Sequence, residues 1–202
     1  MSKNELTTEK MTQALGWAYE KALNGIPGDL SSESLAKSYM KRFSSTDEAI
    51  HSLIKWQTAK SSTSGFVTGL GGIVTLPVAV PVNIASVLYV QMRMIAAIAY
   101  MRGYDLKDDQ VQTFVFICLT GQAASDILKQ SGITVGTKLT VQLIKKVPGA
   151  TLTKINQKVA FRLVTKFGEK GVINLGKLVP VVGGVIGASV DGVGTKIIGN
   201  QA

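Results

Sequence analysis

From Ser61 to Met92 the chain runs 32 residues without one charged side chain, and no other feature limits its fold as strongly. A run that long can cross a bilayer, since about 20 apolar residues suffice. This one is poorly built for crossing. It opens on Gly65, Gly69, Gly71 and Gly72 and is interrupted by Pro77 and Pro81. It then feeds an apolar segment, Val82 to Met101, that carries Asn83, Gln91 and Arg93. A charge in the middle of a spanning helix is costly. The pattern predicts a Gly-rich bend followed by a protein-buried helix with one polar face. Proline is tolerated in the first turn of a helix, where its missing N–H has no partner in any case. The helix is therefore expected to start at Pro81 or Val82 and to end near Gly103.

The rest of the chain reads as helical too. Thr7 or Thr8 can cap a first helix with Met11, Leu15, Ala18 and Ala22 on its inner stripe, and Gly25 ends it. Ile26-Pro27-Gly28-Asp29 is a turn, and Ser31 or Ser32 starts a second helix reaching Phe43. Ser45 with Glu48 has capping-box spacing and opens a third helix through Leu53 and Gln57. After the central helix, Lys107-Asp108-Asp109 starts one continuous helix to Gly132, with acids at its positive end. Gly136 to Val147 is a further helix stopped by Pro148-Gly149, and Thr151 to Phe167 is a basic one. A Gly-rich apolar segment follows from Pro180. Small residues four apart (Gly65/Gly69, Gly132/Gly136, Gly183/Gly187) allow close helix approach in membranes and in tight bundles alike. The expectation is an all-α fold, one compact multi-helix bundle in a single domain over 1–202. Residues 1–61 form its amphipathic part, and residues 62–202 form its apolar and basic core part.

Charge is distributed unevenly. The formal net charge is +9, of which residues 1–129 hold +1 and residues 130–202 hold +8. An anionic partner would therefore meet the C-terminal third. That third has only Phe161 and Phe167 as aromatics, too few for a stacking nucleic-acid surface. Cys118 is the single cysteine, so no disulfide forms within the chain, and a reducing cytoplasm fits. The first 16 residues contain no apolar stretch of signal-peptide length.

Chemistry-bearing motifs are few. Gly69-Leu70-Gly71-Gly72 and Gly192-Val193-Gly194-Thr195-Lys196 lack the spacing of a phosphate loop or a dinucleotide fingerprint. One histidine, His51, and one cysteine offer too few ligands for a metal site, and no cofactor is implied. An enzyme would need His51, Asp126, Asp191 or Arg93 gathered in one pocket.

Two patterns stand out. At 100° per residue, Ser86, Arg93 and Tyr100 fall within about 40° of one another on the central helix, with Asn83 and Ala97 flanking and Gln91 on another face. A buried guanidinium needs a carboxylate, a phosphate or water. Asp126 and Asp191 are candidate partners, each in an otherwise uncharged stretch. The second pattern is Lys154, Lys158, Arg162, Lys166 and Lys170, a basic ridge that recurs every four residues. Four residues overshoot a helical turn by about 40°, so the ridge drifts toward the apolar side. An ordinary solvated face accounts for it as well as a lipid contact does.

Trp17-Ala18-Tyr19-Glu20-Lys21-Ala22, Trp56-Gln57-Thr58-Ala59-Lys60, the run into Gln91-Met92-Arg93-Met94-Ile95, Thr153-Lys154-Ile155-Asn156-Gln157-Lys158 and the ending Pro180 to Gly187 resemble the EcsC family across nearly the whole chain. Pro81 to Asp105 is also similar to the C-terminal domain of YcjF-type membrane proteins and some Era-like GTPases. The resemblance implies a bacterial, membrane-associated protein with no established activity and no catalytic residues to carry over. With the charge pattern, it leads to an expectation of a cytoplasmic protein, peripheral at the inner membrane, binding anionic lipid or docking on a membrane protein. A soluble helical domain holding a lipid or other apolar small molecule beside Arg93 is the alternative, and an enzyme of unknown reaction is the third.

Overall fold

A computed structural model describes residues 6–61, 80–133 and 145–168. Among these residues there are seven α-helices, one 3₁₀ turn and no strand. They are α1 (Thr8–Asn24), α2 (Ser32–Met40), α3 (Thr46–Ser61), α4 (Val82–Met101), α5 (Asp109–Cys118), α6 (Ala124–Gln130) and α7 (Gly149–Gly168).

The caps follow local chemistry. Thr7 Oγ1 accepts the Lys10 N–H at 3.2 Å, Ser31 Oγ accepts that of Ser34 at 3.1 Å, and Ser45 Oγ accepts that of Glu48 at 3.2 Å. Gly25 ends α1 with φ 77°, and a Cβ there would lie 3.0 Å from the Asp29 carbonyl oxygen. Glycine is thus needed at the point where the chain doubles back and presents Asp29 inward.

The packing is built on α4, against which α1, α2 and α3 all rest. Leu88, Tyr89, Met92, Ile95 and Ala97 on α4 join Met11 and Leu15 of α1 and Leu53 of α3 in one apolar cluster. Ile84–Met101 is long and apolar enough to cross a membrane, yet 89% of it is buried inside the protein. The polar face expected of this helix is present, and the helix starts one residue after Pro81. On the other side, α7 packs against α1 and α5 through Ile155, Val159 and Leu163, all at or below 1% exposure.

Three boundaries differ from the sequence reading, the first being α2, which stops at Met40 short of the expected Phe43. The segment from Lys107 to Gly132 is broken into α5, a 3₁₀ turn at Gly121–Ala123, and α6. The Thr120 hydroxyl donates back to the Ile117 carbonyl at 2.6 Å, and Gly121 takes φ 61°, a left-handed value that a continuing helix cannot hold. Pro148-Gly149 begins α7 instead of merely ending what precedes it. The Pro148 carbonyl accepts the N–H groups of Thr151 and Leu152 at 2.9 and 3.1 Å. The glycine bend after α3, the helix expected at Gly136 to Val147 as far as residue 144, the segment from Pro180 and all three glycine pairs except Gly132 lie outside the described residues.

Candidate functional site

Arg93 is 2% exposed, and its charge is met within the fold. Its guanidinium pairs with Asp29, donates to the Leu30 carbonyl at 3.1 Å and reaches Gln57 Oε1 at 3.4 Å. Its carbon centre stands 5.8 Å from the Tyr89 ring centroid. The Tyr89 hydroxyl donates to the second Asp29 oxygen at 3.3 Å, and burial pushes its pKa up to about 12. The carboxylate partner is therefore Asp29, in the turn before α2. Asp126 sits elsewhere, on α6, and Asp191 is outside the described residues. The turn was legible in the sequence. That it folds back onto α4 was not, because 63 or 64 residues separate Asp29 and Leu30 from Arg93.

The other members of the polar stripe have separate tasks. Ser86 Oγ donates to its own helix at the Val82 carbonyl, 2.8 Å away. Tyr100 donates to Glu33 at 3.3 Å beneath the ammonium of Lys37. Gln91 is buried, and the side chain of Asn83 is outside the described set. The stripe thus ties α4 to α2 and the turn before it. Among the described contacts, Arg93 Nη1 and Nη2 meet protein groups, while Nε is buried without a hydrogen-bond partner.

A second arrangement brings together residues that the sequence presents separately. An open groove of about 1110 Å³ lies between the first turns of α1, helix α6 and the face of α7. Lys154, Lys158 and Arg162 line one wall, and Glu9 and Asp126 are among the residues opposite. Phe161 borders it and is 64% exposed. Lys158 donates to the Gln130 carbonyl at 3.0 Å, which holds one part of the ridge against α6. Farther along α7 the expected drift is visible: burial, with Arg162 nearby, lowers the pKa of Lys166. Lys170 lies outside the described residues. Glu9 and the exposure of Phe161 are the features of this groove that periodicity alone missed. Only the packing of α7 on α1 could reveal them.

His51 is exposed on α3 with its Nδ1 2.8 Å from the Asp47 carbonyl. Neither it nor Arg93 lines the groove that holds Asp126. Among the described residues no three His, Cys, Asp or Glu side chains come together. Cys118 is fully enclosed, and burial pushes its thiol up to about 12. Since the thiolate is the reactive form, this thiol should stay unlabelled by a soluble disulfide reagent at pH 8 until the fold opens. Stoichiometric labelling within seconds in the absence of denaturant would contradict that burial.

Compared with known proteins, the EcsC protein family matches residues 2–202, the whole chain but for its first residue. The chain belongs to the EcsC protein family. No curated protein and no solved structure matches it. The family relationship brings no catalytic residues to this EcsC protein, so its chemistry has to be argued from its own surface. The groove on α1, α6 and α7 is where that surface gathers charge.

Proposed function

We propose that this EcsC protein binds an anionic membrane surface peripherally, at the cytoplasmic side of the inner membrane, through the ridge on α7. The observation that carries the reading is Phe161, left 64% exposed among Lys154, Lys158 and Arg162 on one groove. An aromatic ring amid basic side chains suits the boundary between headgroups and acyl chains. The apolar face of α7 is already spent on the core through Leu152, Ile155, Val159 and Leu163. The helix therefore has no second apolar face to insert. Attraction then comes mainly from charge, about 1 kcal/mol per Lys or Arg near an anionic leaflet, and is screened by salt.

Co-sedimentation tests this. Phosphatidylcholine vesicles containing phosphatidylglycerol should pellet the protein at low salt, pure phosphatidylcholine should not, and high salt should release it. Lys154→Glu/Lys158→Glu/Arg162→Glu should weaken binding by well over tenfold, roughly what three charge contacts supply. Phe161→Ala should weaken it about fivefold. No pelleting on anionic vesicles at low salt would sink the reading. Retention on native membranes alone would point instead to docking on a membrane protein.

A further inference from the structure

The groove carries more than a basic wall. Glu9 on α1 and Asp126 on α6 line it together with Lys154 and Arg162, and none of these four side chains has an ion-pair partner among the described residues. Opposite charges that share a groove of about 1110 Å³ without bridging leave room for something between them. Two carboxylates also work against a purely anionic occupant, since like charge near a binding site costs affinity. A headgroup carrying both signs satisfies the two sets at once.

We infer that the groove is a headgroup site selective for a phosphate joined to a primary ammonium, with the phosphate on Lys154 and Arg162 and the ammonium on Glu9 and Asp126. This rests on the reading of the α7 ridge as a lipid-facing surface and names the chemistry selected there. A primary ammonium donates hydrogen bonds to carboxylates, whereas a quaternary one has no N–H to give. The site therefore separates ethanolamine from choline headgroups. Phe161, at the edge of the groove, is positioned to meet the glycerol and acyl part of a membrane-borne ligand.

The experiment uses vesicles with a fixed phosphatidylglycerol content in which phosphatidylcholine is replaced stepwise by phosphatidylethanolamine. The wild-type chain should bind about fivefold more tightly as ethanolamine replaces choline, the scale of exposed charge contacts. Glu9→Gln/Asp126→Asn should lose that increment and keep its phosphatidylglycerol binding. Both side chains lie on the groove surface, and an unchanged melting curve by circular dichroism checks that the fold is intact. Phosphatidylethanolamine also loosens headgroup packing, so the variant separates recognition from a general membrane effect. An increment that is absent in the wild type, or equal in the variant, overturns the inference while leaving the anionic-surface reading standing. Loss of all vesicle binding would remove both. Soluble glycerophosphoethanolamine, with glycerophosphocholine as control, distinguishes the source. Displacement by the first alone supports a site that takes the free headgroup. An ethanolamine increment without displacement supports one that needs the membrane-borne form.

Discussion

Asp29→Ala should destabilise the protein by about 3–5 kcal/mol, because it leaves the Arg93 guanidinium buried without its carboxylate. Arg93 is 2% exposed and Asp29 23%, so water can reach the acid but hardly the base. That asymmetry places the expected loss toward the lower end. Gln57 and the Leu30 carbonyl remain as acceptors, but neither carries a charge. Urea or thermal unfolding measures the effect, which corresponds to roughly 6–15 °C in melting temperature for a chain of this size. Arg93→Met with Asp29→Ala should recover much of the loss, since removing both charges also removes their desolvation cost. A coupling energy near zero in that double-mutant cycle would show that the pair contributes nothing. The same cycle addresses the alternative in which Arg93 holds a ligand: a residue kept for binding alone could be replaced by Met with little loss of stability.

Leu88→Ala should cost about 2–5 kcal/mol, from lost burial and the cavity left behind. Leu88 is 0% exposed at the centre of the apolar cluster. Val82, on the same helix, is 45% exposed, and Val82→Ala should stay within about 0.5 kcal/mol. The contrast tests the central structural claim. By length and composition α4 qualifies to span a bilayer, but its side chains are packed against α1, α2 and α3. Equal, small effects at both positions in the purified protein would show that Leu88 does not sit in a packed core.

Local signals gave much of this architecture. The caps at Thr7, Ser31 and Ser45 were readable because a hydroxyl reaching an N–H three residues away is a short-range event. The start of α4 after Pro81 followed from the proline ring. The polar stripe of α4 was readable from the 100° helical step, as was the drift of the basic ridge. The break at Thr120-Gly121 was missed because an apolar, helix-compatible run surrounds it. Only the left-handed φ of Gly121 shows that the chain turns there.

The uncharged run and the placement of Arg93 on a stripe of small and polar residues were fixed before any folding was known. They required a helix buried in protein with one group able to meet a guanidinium. Whether that group came from the same chain was a tertiary matter, decided when the turn after Gly25 folded Asp29 onto α4. The groove was decided at the same level. Glu9 and Asp126 become neighbours of Lys154 and Arg162 only because α7 packs against α1 and α6. Periodicity specifies which face of a helix seeks burial, since that depends on residues three and four apart. It does not specify which other helix supplies the partner, because that choice is made by shape and charge between segments far apart in the chain.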